Sequence, residues 1–431
     1  MEFNKISVIG LGYIGLPTAA VFASRKKHVI GVDVNQRAVD IINRGEIHIV
    51  EPDLDMVVMG AVSQGFLKAT VTPEPADAFV IAVPTPFKDD HVPDLSYIEA
   101  ASRAIAPVLE KGNLIILEST SPVGATEQMA DWLSQERPDL TFPQTHGEES
   151  DIRVAHCPER VLPGQVLREL VDNDRVIGGM TPKCSEASVS LYKIFVEGDC
   201  VITNARTAEM AKLTENSFRD VNIAFANELS IICDKLDINV WELIELANRH
   251  PRVDILQPGP GVGGHCIAVD PWFIVNKTPE EAKIVRAARD INDGKPLVVI
   301  DTITSHADEL GTKNVLCLGA AFKPNIDDLR ESPALKIIEK IAKKGYLVKV
   351  IEPNIDQLPE HLLELGCELM SLDKAIGYEK PNALAVLVAH KEFIVSNELR
   401  IQSPLDFCGA LKERRADRRI ASDSGSAVEE Q

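Results

Sequence analysis

Short runs of β-branched and apolar residues alternate with segments of helical periodicity over the first 203 residues. The apolar runs are, in order, KISVIGLG, HVIGVDV, AFVIAVPTP, NLIILESTSPVG, RVAHCPERV and DRVIGG. Strands that alternate with helices form sheets of parallel strands joined by right-handed crossovers, and ligands bind at the carboxyl ends of those strands. The pattern therefore predicts a doubly wound α/β domain of parallel strands over residues 1–203.

The middle of the chain, residues 204–296, changes to long helical periodicity with few strand signals. Two segments there predict long helices, TAEMAKLTENSFRDVNIAFANELSIICDKL and PEEAKIVRAARDINDGKPLVVIDTITSHADEL. A glycine-rich loop lies between them. We interpret this region as a helical domain that also mediates dimerisation.

The alternation of strands and helices returns after Lys313 in NVLCLGAAFKP, KKGYLVKVIEP and NALAVLVAH. It predicts a second, smaller α/β domain over residues 297–411. The final stretch, residues 412–431, is charged and then rich in Ser, Ala and Glu, which predicts a disordered tail. The chain is thus expected to hold two doubly wound α/β domains joined by a helical dimerisation domain.

Composition and charge narrow the class of protein. Of the 431 residues, 45% are hydrophobic and 26% are charged, as in a globular protein. The 45 Lys and Arg against 65 Asp and Glu leave a net charge of −20, which argues against a general nucleic-acid partner. An anionic ligand would need a local basic pocket.

The N-terminal stretch MEFNKISVIGLGYIG has neither the charge order nor the cleavage site of a signal peptide. No window reaches the roughly 20 apolar residues of a membrane span. We therefore expect a cytoplasmic protein without a membrane partner. The eight cysteines are scattered with no C-x-x-C pair, so neither a disulfide framework nor a metal site is expected.

The first strand is followed by GLGYIG, which places Gly10, Gly12 and Gly15 in the G-x-G-x-x-G spacing, and the second strand ends at Asp33. Such glycines allow a tight turn, close approach of a pyrophosphate and packing of helix on strand. The carboxylate of Asp33 would bind a ribose hydroxyl and repel a 2′-phosphate. The motif predicts NAD as cofactor in preference to NADP.

The stretch GPGVGGHCIAVDP, residues 259–271, surrounds Cys266 with glycines. Glycine permits positive φ and lets a ligand approach the backbone closely, so this thiol is presented instead of being packed away. Cys266 is therefore a candidate nucleophile.

Polar side chains that suit catalysis and anion binding lie at other strand ends and on one helix. Hydroxyls follow two strands in VPTP and ESTSPVGAT, where they either bind a ligand or cap a helix. Lys212, Asn216 and Arg219 share one stripe of a predicted helix, which is either a solvated face or a general base beside an oxyanion donor. Lys323 and Arg330 follow a strand of the second α/β domain and suit phosphates.

Six motifs occur in one order: GLGYIG, ESTSPVG, CPER, AKLTENSFRDVNIAFANE, GPGVGGHCIAVDP and AAFKPNIDDLRESP. In this order they resemble the UDP-glucose/GDP-mannose dehydrogenase family over about residues 1–410. The resemblance implies a Rossmann domain that binds NAD, a helical dimerisation domain, and a Rossmann-like domain that helps to hold the nucleotide of a UDP-sugar.

Within that family, NRHPRVDILQPGPGVGGHCIAVDPWF and RAARDINDGKP look most like the branch that oxidises UDP-N-acetyl-D-mannosamine. Branches acting on UDP-glucose or GDP-mannose typically have Ser before the cysteine. His265 at that position favours an N-acetylhexosamine substrate. UDP-N-acetylglucosamine and UDP-glucose are the alternative substrates.

The resemblance implies a four-electron oxidation of the sugar C6 hydroxyl to a carboxylate with two NAD molecules in succession. Lys212 would help to remove the alcohol proton, and Asn216 would steady the oxyanions. Cys266 would capture the aldehyde as a thiohemiacetal, which is oxidised to a thioester. The residues that would orient or activate water for thioester hydrolysis are Asp270, Glu159 and Thr120.

The resemblance also implies ligand contacts by position. Those to NAD would come from Tyr13, Ile14, Asp33, Thr85, Thr126 and Arg330. Those to the UDP-sugar would come from Arg160, Val161, Lys212, Asn216, Arg219, His250, Arg252, Gly263, Phe322 and Lys323, with Arg252 reaching across a dimer.

Two other classes share parts of the pattern. A two-electron hydroxy-acid dehydrogenase has the glycine motif and a helical second domain, but it needs no covalent thiol and forms one NADH per substrate. A dinucleotide-dependent sensor would leave Lys212, Asn216 and Asp270 without a role.

Overall fold

The computed structural model describes residues 2–162, 164–264, 267–378 and 381–411. It divides into two compact units, Met1–Asn216 with Trp272–Ala282, and Ser217–Pro271 with Lys283–Gln431. Each unit is described by itself. The predicted disordered tail, residues 412–431, lies outside the described residues, as do His265 and Cys266.

The first unit is built on an eight-stranded sheet in the order β3-β2-β1-β4-β5-β6-β7-β8. The strands are β1 (Lys5–Ile9), β2 (His28–Val32), β3 (Leu67–Thr70), β4 (Ala78–Ile81), β5 (Leu114–Leu117), β6 (Arg153–His156), β7 (Arg175–Gly179) and β8 (Cys200–Asn204). The order of the first six strands is that of a doubly wound nucleotide-binding domain, with its crevice between β1 and β4. The predicted fold class is confirmed for this unit.

One strand direction differs from the prediction. Strand β7 runs antiparallel to β6, and β8 then runs parallel to β7. The expectation of parallel strands throughout is therefore wrong at this edge of the sheet. The sequence pattern could not show the reversal, because an apolar run such as DRVIGG has the same periodicity in either direction.

The helices of the first unit cover both faces of its sheet. They are α1 (Gly15–Ser24), α2 (Gln36–Asn43), α3 (Leu54–Ser63), α4 (Ser96–Ile105), α5 (Ala125–Glu136), α6 (Pro143–His146), α7 (Val166–Asp172) and α8 (Pro182–Tyr192). Alternate strand residues enter different cores: Leu114 and Ile116 of β5 pack with α1 and α3, whereas Ile115 and Leu117 pack with α4 and α5. Burial on both faces explains why the strands read as continuous apolar runs.

The predicted long helices are present. They are α9 (Ala205–Leu236) and α12 (Lys283–Glu309), with the shorter α10 (Val240–Ala247) and α11 (Asp270–Lys277) between them. Helix α12 continues through Pro296, and its last turns pack into the core of the C-terminal sheet. Within the described ranges, no helix is long and apolar enough to cross a bilayer.

Buried polar side chains join α9 to α12 in the second unit. Arg289 donates from Nη1 to Oδ1 of Asp220 at 2.6 Å and from Nη2 to Asp293. Asn292 donates to the same Asp220 oxygen at 2.8 Å and accepts from Asn227 Nδ2 at 2.9 Å. Because a buried charge without a partner is costly, this network determines how the two helices face each other.

The second unit also holds a five-stranded parallel sheet in the order β11-β10-β9-β12-β13. The strands are β9 (Asn314–Leu318), β10 (Leu347–Ile351), β11 (Glu368–Leu369), β12 (Ala383–Val386) and β13 (Leu405–Asp406). The remaining helices are α13 (Pro333–Lys343), α14 (Glu360–Glu364), α15 (Leu372–Ile376), α16 (Lys391–Ile394) and α17 (Asn397–Ile401). Apolar cores lie on both faces of this sheet, which confirms the second Rossmann-like domain.

The loop after the first strand is built in the same way in both α/β domains. In the first, Gly10 N–H donates to Val32 O and Leu11 N–H donates to Asp33 Oδ2. In the second, Gly319 N–H donates to Ile351 O and Ala320 N–H donates to Glu352 Oε2. The two acids differ in surroundings, because Asp33 is half-buried, whereas Glu352 is buried and accepts a hydrogen bond from the buried ring of His390 at 2.9 Å.

We predict that Asp220→Ala lowers the free energy of unfolding by about 3 to 5 kcal/mol, because it leaves the buried Arg289 guanidinium short of a charge partner. Asp293 is the matched control, since it pairs with the same guanidinium but its side chain is 50% exposed. Asp293→Ala should cost under about 1 kcal/mol. Urea unfolding followed by circular dichroism measures both; equal losses would contradict the assignment.

Candidate active site

The glycine loop after β1 has the shape that a dinucleotide needs. Gly10 has φ +89°, and a Cβ there would lie 2.7 Å from the carbonyl oxygen of Ala82. A Cβ on Gly15 would overlap the carbonyl oxygen of Gly10, so α1 packs directly on the strand. A Cβ on Gly12 would meet nothing within 4 Å. The first and last glycines are thus required by packing, and the middle one leaves space at the N-terminus of α1, where a pyrophosphate fits.

Asp33, at the end of β2, shapes this loop through both of its carboxylate oxygens. Its Oδ2 accepts from Leu11 N at 2.9 Å and its Oδ1 accepts from Asn35 N at 2.8 Å. The carboxylate remains half-buried. Tyr13, at the tip of the loop, is 39% exposed, and Ile14 precedes the first residue of α1. The predicted NAD contacts therefore include a carboxylate that is fixed in place by backbone N–H groups.

The predicted hydroxyl residues make hydrogen bonds inside the first unit. Thr85 Oγ1 donates to Thr120 O at 2.5 Å, so the structure brings these two residues together at the carboxyl ends of β4 and β5. Thr126 Oγ1 donates to Glu209 Oε1 at 2.6 Å. Their predicted contacts with ligand stay predictions, and each hydroxyl also has a structural bond.

Glu209 is a residue that sequence reasoning missed. Its carboxylate accepts from Gly124 N at 2.7 Å and from Thr126 N at 2.8 Å, at the N-terminus of α5. Burial raises its pKa, while the bonds from Thr126 and Gly124 act in the opposite direction. Glu209 on α9 thus supplies the negative charge that the N-terminus of α5 favours.

The CPER motif after β6 lies against both the sheet and α9. Arg160 donates from Nε to Glu215 Oε2 at 3.1 Å, and its Nη2 lies 2.7 Å from Glu215 Oε1. Glu215 lies between Lys212 and Asn216 in the chain, so this ion pair fastens the loop to the turn of α9 that carries both candidates. Val161, also predicted to contact substrate, packs against the core of the first unit.

Glu159 belongs to a buried ion cluster with Arg175 and Glu118. Neither Arg175 nor Glu118 was singled out as a site residue from the sequence. Arg175 donates from Nη2 to Glu159 Oε2 at 2.6 Å and from Nη1 to Glu118 Oε1 at 3.2 Å. Burial raises the pKa of Glu118 to about 7, and the charge of Arg175 acts in the opposite direction. A lone Arg at a strand start resembles a surface residue in sequence, so no local signal could have found this cluster.

The helical stripe predicted on α9 is not uniformly exposed. Lys212 is half-buried, Asn216 is buried, and Arg219 is exposed. An amide and an amine on adjacent turns, both partly withdrawn from water, suit a proton acceptor beside an oxyanion donor. Arg219 faces water in the structure.

The glycine-rich loop of the second unit is fastened at both ends. Gly259 N donates to Asn227 Oδ1 at 2.9 Å, and Ile267 O accepts from Arg289 Nη1 at 3.4 Å. The candidate nucleophile Cys266 and its neighbour His265 lie outside the described residues. Asp270, the first residue of α11, is buried.

Two predicted substrate residues meet at the carboxyl edge of β9. A Cβ on Gly263 would lie 3.3 Å from Phe322 Cβ, so the glycine loop and the segment after β9 are in close contact. A cavity here is lined by Pro260 and Gly261 of the loop, by Phe322, and by Val388 after β12. Strands β9 and β12 are the neighbours at which the strand order reverses, which is where such sheets bind ligands.

The other predicted contacts of the second unit lie at its surface. Lys323 is exposed, and so is Arg330, whose guanidinium donates from Nη2 to Asp328 Oδ2 at 2.6 Å. His250 and Arg252 are exposed beyond the end of α10, where Arg252 N donates to His250 Nδ1 at 3.3 Å. Their roles in substrate binding stay predictions.

Comparison with known proteins agrees with this geometry. Residues 4–196, 206–294 and 316–408 match the models of the NAD binding, central and UDP binding domains of the UDP-glucose/GDP-mannose dehydrogenase family. A UDP-N-acetyl-D-mannosamine dehydrogenase of Campylobacter jejuni is 65% identical over 414 residues, which cover 94% of this chain and 100% of that relative. The chain belongs to the UDP-glucose/GDP-mannose dehydrogenase family. It is an NAD-dependent enzyme of nucleotide-sugar oxidation.

Two further family members show the range of this similarity. An NDP-N-acetyl-D-galactosaminuronic acid dehydrogenase of Ralstonia nicotianae is 64% identical over 404 residues, covering 94% of this chain and 95% of its own. A solved structure of a UDP-D-ManNAc dehydrogenase from Pyrococcus horikoshii is 39% identical and superposes with a TM-score of 0.85, covering 95% of this chain and 96% of that chain. The predicted family, the NAD cofactor and the two Rossmann-like domains with a helical centre are confirmed.

We predict that Gly12→Ala raises the Kd for NAD by about tenfold, equivalent to 1.4 kcal/mol, because the added methyl enters the open space that the pyrophosphate would occupy. It should leave the thermal midpoint unchanged. Gly15→Ala should instead destabilise the fold by about 1 to 3 kcal/mol, because its methyl overlaps backbone. Fluorescence titration with NAD and thermal unfolding separate the two effects; loss of stability in Gly12→Ala would be inconsistent with an open site.

Proposed function

We propose that this enzyme oxidises UDP-N-acetyl-D-mannosamine at C6 to UDP-N-acetyl-D-mannosaminuronic acid. The observation that carries the proposal is the 65% identity to the Campylobacter jejuni enzyme over its full length. The structural likeness to the Pyrococcus horikoshii enzyme supports it. We place this activity in the cytoplasm, where it would supply an activated uronic acid for surface polysaccharide synthesis.

The first oxidation turns the C6 alcohol into an aldehyde. NAD, when bound, accepts one hydride in each of the two oxidations. Lys212 takes up the hydroxyl proton, which suits an amine half-withdrawn from water. Asn216 donates a hydrogen bond to the oxygen as negative charge builds up on it.

Cys266 then adds to the aldehyde carbon, which gives a thiohemiacetal and, after the second oxidation, a thioester. Other thiols suit this role poorly, since burial raises the pKa of Cys157, Cys233 and Cys317. Asp270, Glu159 and Thr120 remain the candidates for activating the water that hydrolyses the thioester.

A second substrate has a specific observation in its favour. The Ralstonia nicotianae relative is nearly as similar, at 64%, and its name specifies a galactosaminuronic acid. The galacto and manno sugars differ in configuration at C2 and C4, and both carry the acetamido group. The alternative function is therefore oxidation of an N-acetyl-D-galactosamine nucleotide.

We predict that kcat/KM is highest for UDP-N-acetyl-D-mannosamine and that two NADH form per sugar. A buried polar group left unpaired by the wrong configuration costs about 1 to 3 kcal/mol, so the gluco and galacto sugars should be on the order of 10- to 100-fold poorer substrates. UDP-glucose, without the acetamido group, should be poorer still. Steady-state kinetics with the four sugars and endpoint NADH counting measure this.

The control for the covalent route is Cys266→Ala, which should bind NAD normally and form no carboxylate. A preference for the galacto sugar would support the alternative substrate. A yield of one NADH per sugar in the wild type would contradict the four-electron reaction.

The exposed face of α9 supports the proposed homodimer. Phe218 is 67% exposed and Phe225 is 51% exposed, and they are seven residues apart on one stripe. Ile232 continues that stripe, and Leu236 follows one turn later, both with large exposed side chains. Contiguous exposed apolar side chains mark interaction surfaces. A second copy of the chain, docking helix to helix, would cover this face.

We predict that Phe225→Asp shifts the protein from dimer to monomer, because a carboxylate would be buried without a partner in the interface. The matched control is Ile401→Asp on α17, an equally drastic change at a side chain that is 82% exposed. Sedimentation velocity should show a monomer only for the α9 variant. An unchanged dimer in Phe225→Asp would exclude this face as the interface.

A further inference from the structure

His390, directly before α16 in the second unit, has a buried ring that is bonded on both sides. The backbone N–H of Asn325, in the loop after β9, donates to His390 Nδ1 at 2.9 Å. His390 Nε2 lies 2.9 Å from Oε2 of Glu352, the residue that follows β10. The side chains of His390 and Glu352 are both fully buried. The ring therefore connects the loop after β9 to a carboxylate at the edge of the sheet.

The contacts of this ring are compatible with one protonation state. A backbone N–H can only donate, so Nδ1 must accept and carries no proton. The side-chain amide nitrogen of Asn354, 3.1 Å away, is a second donor to Nδ1. The proton is therefore on Nε2, which donates to Glu352. A protonated ring would place an N–H against the N–H of Asn325, so the loop requires the neutral form.

The loop that His390 holds carries two residues predicted to contact the substrate, Phe322 and Lys323. Its start is fixed by Ala321, whose N–H donates to Glu352 Oε2 at 3.1 Å. Its next fixed point is Asn325, through the bond to His390 Nδ1. Phe322 and Lys323 lie between these two points, and both points belong to the network of Glu352 and His390.

The backbone of Asn325 has a conformation that needs support. Its φ is +63°, in the left-handed region that is costly for residues other than glycine and least so for asparagine. Its Oδ1 accepts from the backbone N–H of Lys391 at 3.0 Å. This bond and the bond to His390 both come from the loop after β12. They offset the cost of the turn and fix its position beside that loop.

We propose that His390 is a positioning residue for UDP binding, whose neutral ring fixes the turn at Asn325 and so holds Phe322 and Lys323 ready for the nucleotide. The proposal rests on the proposed function, in which the substrate is a UDP-sugar. The whole network lies within residues 316–408, which match the UDP binding domain of the family. Phe322 lines the cavity beside the loop, and the exposed Lys323 has a charge that suits a diphosphate. Because His390 is fully buried, it acts through the loop.

The test is a pair of substitutions that each keep one half of the bonding of the ring. In His390→Asn, the side-chain oxygen takes the place of Nδ1 and can accept from Asn325, but the donor to Glu352 is lost. In His390→Gln, the side-chain N–H takes the place of Nε2 and can donate to Glu352, but the acceptor for Asn325 is lost. The pair separates the bond that serves the loop from the bond that serves the buried carboxylate.

We expect His390→Gln to raise the Kd for UDP about tenfold and His390→Asn to stay within about threefold of the wild type, since only the first loses the hydrogen bond to the loop. The thermal midpoint should fall further in His390→Asn, because a buried carboxylate loses a donor. His390→Gln should raise KM for the UDP-sugar and leave kcat nearly unchanged, as for a loss of uniform binding. Calorimetric titration with UDP, thermal unfolding and steady-state kinetics measure these effects.

The matched control is His361→Gln, the same substitution at an exposed histidine on α14 of the same domain, which should bind UDP like the wild type. Lys323→Ala should weaken UDP binding in the wild type and much less in His390→Gln, where the loop no longer presents the lysine. Additive losses would overturn the proposal. So would UDP affinities that fall in the same order as the stabilities of the two His390 variants, because that is the result of a merely structural role.

Asn325→Ala covers the case in which His390→Gln does not fold, because Asn325 is exposed. At a φ of +63°, alanine is strained and glycine is not. We expect Asn325→Ala to bind UDP about fivefold more weakly than Asn325→Gly, since the strain moves the turn away from His390. Equal affinities of these two variants for UDP would also overturn the proposal.

The same measurements distinguish this proposal from the proposed function. A wild-type enzyme that does not bind UDP would overturn both. Oxidation of a different UDP-sugar would change the proposed function alone, because UDP is common to these substrates. Wild-type UDP affinity in a folded His390→Gln would overturn the role of His390 alone.

Discussion

The pairing of polar side chains along α9, most of them buried, is the constraint on which the candidate site depends. Glu209 satisfies the N-terminus of α5, and Glu215 pairs with Arg160. Further along the same helix, Asp220 accepts a hydrogen bond from Arg289 on α12, and Asn227 accepts one from Gly259 in the glycine-rich loop 259–271. A rotation of α9 by one residue would leave several of these groups buried and unpaired, at about 1 to 3 kcal/mol each. The candidate catalytic side chains on the helix take their direction from this requirement.

Features with a local, periodic cause could be predicted from sequence. Strand and helix alternation indicated both α/β domains, because strands buried on two faces must be apolar throughout. The glycine spacing indicated the cofactor loop, since Gly10 and Gly15 stand where any side chain would overlap backbone. The long helices α9 and α12 were also indicated, because their apolar periodicity extends over many turns.

Features that depend on distant partners could not be predicted. The direction of β7 is decided by the path of its connection, which leaves no mark in DRVIGG. Arg175 and Glu118 are 57 residues apart in sequence, and each alone resembles a surface charge. Glu209 lies on the helix on which the sequence pattern singled out only Lys212, Asn216 and Arg219. Its partner Thr126 was predicted to contact NAD, and its bond to Glu209 could not be foreseen. In each case the pairing exists only once the sheet has formed.

The two α/β domains share a loop in which an acid after the second strand accepts N–H groups from the turn after the first. In one domain that acid is half-buried, and in the other it is buried and bonded to the ring of His390. The acid therefore stabilises the loop in a way that does not depend on a bound nucleotide. The backbone of the loop alone can thus require an acid at this position. An acidic residue at this position therefore indicates the backbone geometry of this loop before it indicates cofactor binding.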